Sequence, residues 1–332
     1  MNKAIVLVPI LLALVSAGAT LERNHVFQDD VGYWGDVVGK SPLKPRGYNS
    51  LGMAYASRGM YDKAFELYST SMALYKMRGG SKQGLYNVYI NNGLAYANIR
   101  SYGKAIEYYN MAVSLLPDIP VAYNDRGIIH ALQQRPKQAL DDFSRSLALD
   151  PTFIDAYHSR GFFFLNTGRY DDAILDMISA LHLKPDDPSL YGIRGCAYVK
   201  KGQYEKGIED LTRAITAFPT SSSYYVNRGT AYDATGQLAS AMRDLTMALL
   251  LGARDANTYV NRGIIYGKQG LSVEAMKDFE QAILLEPANA AGYFNRGYLN
   301  RRLGNLKAAR NDFTKACSLG EKTACAAVQD GL

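Results

Sequence analysis

Tyr259-Val-Asn-Arg-Gly263-Ile-Ile-Tyr266 lies thirty-four residues after Tyr225-Val-Asn-Arg-Gly229-Thr-Ala-Tyr232 and thirty-four before Tyr293-Phe-Asn-Arg-Gly297-Tyr-Leu-Asn300. Working outward, the glycine recurs at Gly93, Gly127, Gly161, Gly195, Gly229, Gly263 and Gly297, with Gly52 preceding this series by 41 residues. A tyrosine stands four residues before each, at Tyr48, Tyr89, Tyr123, Tyr157, Tyr191, Tyr225, Tyr259 and Tyr293. A small residue stands twelve after each: Ala64, Ala105, Ala139, Ala173, Gly207, Ala241, Ala275 and Ala309. Fixed self-similarity over eight units implies a stack of one repeated supersecondary element.

The element is helical. Tyr, Gly and the aromatic three residues further on (Tyr55, Tyr96, Phe164, Tyr198, Tyr232, Tyr266) share one face at i, i+4, i+7 spacing. A second periodic segment follows a short polar connector such as Gly202-Gln203-Tyr204. Pro117, Pro151, Pro185, Pro219 and Pro287 then close units, because proline cannot continue a helix interior. Folding two helices about the connector sets the glycine opposite the small residue, so the axes can approach closely. The seven extra residues between Gly52 and Gly93 fall around Met77 to Lys82 and predict a lengthened connection there.

This period, with its small and aromatic positions, resembles the tetratricopeptide repeat over residues 45–323. The resemblance implies an all-α fold: a right-handed α-solenoid of eight hairpins, ended by a short capping helix over 324–332. Such hairpins bury their apolar faces only by stacking on neighbours.

Composition agrees with a folded chain. It is 48% apolar and 20% charged, and 25 Tyr against 11 Phe and 1 Trp reflect the repeated tyrosine positions. The net charge of +6 is scattered, without the basic run of a nucleic-acid arm, and nucleic acid is not an expected partner. Residues 1–19 read as a signal peptide or a membrane anchor: Lys3, an apolar stretch Ala4 to Ala19, then Ala17-Gly18-Ala19 as an A-x-A site. Sixteen helical residues rise about 24 Å, against roughly 30 Å of hydrocarbon core. Either reading places the rest of the chain outside the cytoplasm, in the periplasm or anchored facing it. Residues 20–44 read as a juxtamembrane linker.

The residue before the glycine is arginine in six units, and an aspartate follows sixteen residues later in the same six. The expected pairs are Arg126 with Asp142, Arg160 with Asp176, Arg194 with Asp210, Arg228 with Asp244, Arg262 with Asp278 and Arg296 with Asp312. The units lacking the arginine (Leu51, Asn92) also lack the aspartate (Leu67, Tyr108). Hairpin symmetry makes each a structural ion pair; catalytic carboxylates or an anion-binding arginine ladder are the sharper alternatives. The four histidines, His25, His130, His158 and His182, have neither metal-ligand spacing nor a paired nucleophile, and there is no phosphate loop. No metal, cofactor or enzymatic activity is expected. Cys317 and Cys325 bracket a turn that resembles the cysteine-bearing junction of Sel1-like repeats. That resemblance implies a disulfide tying a C-terminal helix to the last unit, with Cys196 left as a packed apolar residue.

Two residues before the glycine stand Asn91, Asn227, Asn261 and Asn295. In tetratricopeptide proteins that bind extended peptides, including the glycosyltransferase that modifies serine and threonine with N-acetylglucosamine, asparagine at this place bonds the peptide backbone. An amide donates and accepts, so it matches a peptide unit of any sequence; an asparagine chosen for helix solvation is the alternative. Phe294, Tyr298 and Arg301 are expected beside this row on the concave face. The dicarboxylate clamp of chaperone-binding relatives, which needs lysine three before the glycine, is missing. Residues 23–27 and 34–42 resemble the junction of bacterial membrane proteins that carry an extracytoplasmic repeat array, which keeps membrane association through the N-terminal segment open. The expected function is a non-catalytic scaffold of the bacterial envelope that binds an extended peptide or a partner subunit. The alternative is an accessory subunit of an envelope glycan-processing or secretion enzyme.

Overall fold

The structure is a computed structural model and describes residues 30–77 and 80–329. These form eighteen helices and no strand. The chain divides into two compact units: Met1–Phe164 with His182–Lys184, and Leu165–Leu181 with Pro185–Leu332. The first contains α1 (Asp30–Lys40), α2 (Pro45–Ser57), α3 (Tyr61–Met77), α4 (Lys82–Asn98), α5 (Tyr102–Leu115), α6 (Pro120–Leu132), α7 (Pro136–Leu149) and most of α8 (Ile154–Asn166). The second is built on α9 (Tyr170–Leu183), α10 (Pro188–Lys200), α11 (Tyr204–Ala217), α12 (Ser222–Ala234), α13 (Leu238–Leu250), α14 (Ala256–Lys268), α15 (Ser272–Leu285), α16 (Ala290–Arg302), α17 (Leu306–Ser318) and α18 (Lys322–Gln329). Hairpins α2–α3, α4–α5 and α6–α7 lie in the first unit; α10–α11, α12–α13, α14–α15 and α16–α17 lie in the second. The fold is an all-α repeat solenoid.

Local chemistry sets the helix boundaries. Proline opens α2, α6, α7 and α10, where its missing N–H costs nothing. Side chains of Ser81, Asp187, Asp255 and Asn289 accept from backbone N–H groups in the first turns of α4, α10, α14 and α16. Each of these seven hairpin turns has three residues, and the middle one is left-handed: Gly59, Arg100, Gln134, Gly202, Gly236, Gly270 and Gly304. The next N–H then reaches back five residues, as from Gln203 to Tyr198 O at 2.8 Å and from Leu271 to Tyr266 O at 2.9 Å. This satisfies one of the carbonyls orphaned at the helix end.

The recurrent glycine seats more than its small partner. A Cβ on Gly263 would lie 2.6 Å from the ring of Phe279, and one on Gly93 would lie 2.5 Å from the ring of Tyr109. These rings come sixteen residues after the glycine, on the second helix. The small residues Ala64, Ala105, Ala139, Ala241, Ala275 and Ala309 are wholly buried. Fully burying a Phe-sized side chain contributes about 1.5–3 kcal/mol, which exceeds the roughly 1 kcal/mol that helical glycine costs relative to alanine.

One expectation changes. The seven extra residues are not a longer connection. α3 and α4 have 17 residues each, where α5 has 14 and α6 has 13, so three and four residues extend the helices. α4 begins at Lys82, so the interval between α3 and α4 is no longer in sequence than that between α5 and α6. Within the stretch expected to be a linker, α1 is helical and brings Val38 Cγ2 to 3.3 Å from where a Cβ on Gly47 would stand. The signal or anchor segment 1–19, and residues 20–29, lie outside the described residues. No described helix is long and apolar enough to cross a membrane. At the other end, α18 begins at Lys322 and packs Ala324 onto Ala309, Phe313 and Ala316. Cys317 and Cys325 are joined, tying α18 to α17.

Candidate functional site

Arg126, Arg194, Arg228, Arg262 and Arg296 form their expected ion pairs with one geometry. Arg126 Nε and Nη2 donate to Asp142 at 2.9 and 2.7 Å, and Arg194, Arg228, Arg262 and Arg296 hold Asp210, Asp244, Asp278 and Asp312 in the same two-point fashion. The aspartates are buried, with side chains 5–9% exposed, and the arginines are 14–25% exposed. These hydrogen bonds hold the guanidinium groups of Arg126, Arg194, Arg262 and Arg296 above the ordinary arginine value. For the sixth, Arg160 lies over Tyr157 and Phe164 and reaches Ser144 Oγ at 3.5 Å, and Asp176 is buried in α9.

The structure adds what the sequence reading missed, the use of the tyrosines. Arg194 lies between the rings of Tyr191 and Tyr198, at 5.2 and 5.8 Å. Arg228 lies between Tyr225 and Tyr232, and Arg262 between Tyr259 and Tyr266. Each ring at cation–π range adds about 0.5–1 kcal/mol at a partly exposed site. The signal was present as Tyr-x-x-Arg-x-x-x-Tyr, with both rings on the arginine's own helical face. Where the second ring is replaced, by His130 or Asn300, that residue turns to the aspartate instead. His130 Nε2 lies 3.8 Å from Asp142, and Asn300 donates to Asp312 at 3.2 Å. Burial keeps His130 below the usual histidine value, so it is neutral near pH 7. The arginines therefore tie the first helix of a hairpin to the second through Nε and Nη2.

In the second unit, Asn227, Asn261 and Asn295 stand half-buried on α12, α14 and α16. Their Nδ2 groups are committed: Asn227 to Ser223 O at 2.8 Å, Asn261 to Thr230 Oγ1 at 3.3 Å and Asn295 to Ala291 O at 2.9 Å. The amide oxygens are left as acceptors. Beside this row Lys268 bonds Asp233 at 2.5 Å, and Tyr298 is 47% exposed under the Arg301 guanidinium at 5.3 Å. Phe294 departs from expectation. Its ring lies 5.8 Å from that of Phe313, and half-buried it packs against the cluster of Ala309, Phe313, Ala316 and Ala324. In the first unit, Asn91 bonds Asn49 at 3.0 Å. Asp125, the residue in the same register of α6, is buried next to Asn124, which donates to it at 3.2 Å. Burial pushes its carboxyl up to about 7, against the Asn124 bond and with a further push from Asp155. Burial also pushes the Cys196 thiol up to about 12, as suits an inert apolar filler. Among the described residues no group of His, Cys, Asp and Glu could hold a metal ion.

Comparisons place this geometry. Profiles described as "Tetratricopeptide repeat" match residues 45–118, 120–153, 143–174, 193–257 and 260–322. By sequence, no curated protein matches the chain. Among solved structures, the APC/C hetero-tetramer Cut9-Hcn1 superposes with a TM-score of 0.65 at 16% identity, over 81% of this chain and 52% of that one. This chain thus spans about half the length of that relative. A tetratricopeptide repeat protein from Parabacteroides merdae gives 0.54 at 18% identity, over 80% and 98% of the two chains. PilW, a type IV pilus biogenesis factor, gives 0.56 at 18% identity, over 61% and 94%. At these identities the likeness establishes the fold. With profiles covering most of its length and the helical hairpins in register, the chain belongs to the tetratricopeptide-repeat family, whose fold serves protein–protein interaction.

Proposed function

We propose that the chain is a non-catalytic scaffold of the bacterial envelope, binding an extended peptide or a partner subunit along the face formed by α12, α14 and α16. The observation that carries this reading is the row Asn227, Asn261 and Asn295. Three consecutive hairpins present one amide oxygen each, half-buried and held in place by its own committed Nδ2. Acceptors repeated once per hairpin suit the N–H groups of an extended backbone, which offers donors irrespective of sequence. Tyr298 and Arg301 continue the face with an exposed ring and a cation, a match for an acidic or aromatic segment. The envelope assignment is supported by Ala17-Gly18-Ala19 and by the Cys317–Cys325 bridge, since disulfides persist in oxidising compartments.

A second reading, an accessory subunit of an envelope glycan-processing or secretion enzyme, is favoured by the junction-like residues 23–27 and 34–42. Photo-crosslinking from Asn261 or Tyr298 in the native envelope, followed by mass spectrometry, separates the two. A captured peptide-bearing protein supports the first reading, and a multi-spanning membrane enzyme supports the second. The variant Asn227→Ala/Asn261→Ala/Asn295→Ala is expected to lose the captured partner while folding normally. The same partner at the same yield would sink the amide row.

A further inference from the structure

Hairpin α12–α13 joins α14 differently from its neighbours. Residues 116–119, 150–153, 184–187, 218–221 and 286–289 each contain a proline, whereas residues 251–255 number five and contain none. α13 stops instead on Gly252 at φ 96°, whose N–H donates to Leu249 O at 3.1 Å, while that of Ala253 donates to Ala248 O at 2.9 Å. A left-handed cap of this kind favours glycine. It is followed by Arg254, which is exposed and has no ion-pair partner among the described residues.

Between α13, this turn, α14 and α15 lies an open cleft of about 470 Å³. Arg254, Arg262 and Gln281 supply its donors, and Leu249, Leu250 and Leu285 its apolar part. Leu250 is 76% exposed. Arg262 spends Nε and Nη2 on Asp278. In Arg126 and Arg228 the third arm, Nη1, is also taken, by Asn110 at 2.6 Å and Thr212 at 3.0 Å. The residue in that register below Arg262 is Thr246, and its hydroxyl turns to Met242 Sδ at 3.8 Å instead. Nη1 of Arg262 is thus left for an outside acceptor. The charges of Arg254, Arg262 and Asp278 sum to a single positive charge, which matches a carboxylate better than a doubly charged phosphate.

We propose that this cleft binds the terminal carboxylate of a partner polypeptide ending in an aliphatic residue. The carboxylate takes the two guanidinium groups, and the side chain lies on Leu249, Leu250 and Leu285. Charge-assisted hydrogen bonds from a guanidinium to a carboxylate are about twice as strong as neutral ones. The site does not depend on the amide row: Asn261 turns to Thr230 of α12, whereas Arg262 turns to Asp278 of α15.

The test is an NMR titration of the whole chain, following the Leu250 methyl and Arg254 Nε signals. The probes are acetyl-Ala-Ala-Leu, its C-terminal amide, N-acetyl-leucine and inorganic phosphate. Acetyl-Ala-Ala-Leu is expected to shift both signals saturably, at least as tightly as N-acetyl-leucine, with the amide and phosphate inert. Arg254→Gln, in an exposed turn and checked for fold by circular dichroism, should weaken binding roughly tenfold. Four outcomes would overturn the proposal: no saturable shift, equal binding of the amide, shifts by phosphate at the same concentration, or unchanged affinity in Arg254→Gln. Binding of N-acetyl-leucine alone would exclude a peptide end as the occupant.

Discussion

Between Tyr89 and Tyr96 the second hairpin holds Tyr108; between Tyr225 and Tyr232 the sixth holds Arg228. The slot is the same, two rings seven residues apart on the first helix, but it is filled from opposite sides. Tyr108 reaches in from α5, stacking on Tyr96 at 5.5 Å and 15° and tilting against Tyr89 at 6.4 Å. Arg228 comes from α12 itself and is caught by Asp244 of α13 at 2.7 and 2.9 Å. Phe65 extends the aromatic version, stacked on the other side of Tyr96 at 4.1 Å. One solution fills the slot with a ring, the other with a paired charge, and the second fails differently when a part is removed. A missing ring leaves a space, but a missing arginine leaves a buried carboxylate with no counter-charge.

Arg228→Ala therefore carries the largest expected effect. It strands Asp244, whose side chain is 8% exposed, and should lower stability by about 4–5 kcal/mol, the upper part of the range for breaking a buried pair. A urea midpoint within error of the parent would show that the clamp contributes nothing.

Asp125 tests the same physics with a neutral partner, Asn124, in place of a cation. Its folded value of about 7 lies above the ordinary 3.8, so the folded chain binds the proton more tightly than the unfolded one. Stability from this group is fully present below about pH 4 and is lost as pH rises through about 7. Three pKa units correspond to roughly 3–4 kcal/mol. Asp125→Asn, which gives α6 the residue that α4, α12, α14 and α16 carry in this register, should flatten that part of the stability–pH curve. It should also raise stability at pH 8. An unchanged slope between pH 4 and 7 would remove Asp125 as its source.

A transplant addresses the comparison directly. Asn92 occupies the arginine's register in α4, buried and bonded to Val88 O at 3.0 Å. Asn92→Arg and Tyr108→Asp should each destabilise alone, the first by crowding Tyr108 and the second by burying a lone carboxylate. Together they should recover about 2 kcal/mol through coupling, measured by a double-mutant cycle. Strict additivity would mean that the slot does not accept either filling.

The regular part of this molecule was legible because it is periodic. The 34-residue spacing placed Gly263, Ala275 and the Arg262–Asp278 pair correctly, since each position needs one residue type in every copy. What escaped depended on three-dimensional reach. Phe294 shares a helix with Asn295 and Tyr298, and its packing on Phe313 of α17 half-buries it. Seven inserted residues look the same in sequence whether they lengthen a loop or two helices, and close to two extra turns shared between α3 and α4 preserve every packing face. The cleft beside Arg254 follows from a missing proline, a departure that a search for regularity passes over.

The smallest effect lies in the hairpin turns, where the same units again differ. Gly59, Gly202, Gly236, Gly270 and Gly304 take the left-handed middle position without steric cost, but Arg100 and Gln134 hold it at φ 59° and 57°. A side chain there brings Cβ against the following carbonyl at about 1–2 kcal/mol, part of which glycine returns as entropy of the unfolded chain. Arg100→Gly and Gln134→Gly should each stabilise by about 0.5–1 kcal/mol, raising the urea midpoint without changing its slope. The reverse change, Gly236→Gln, should destabilise by a similar amount. If Arg100→Gly instead weakens the fold, the arginine side chain contributes more than its backbone strain removes. The second hairpin would then differ from the sixth in its turn as well as in its slot.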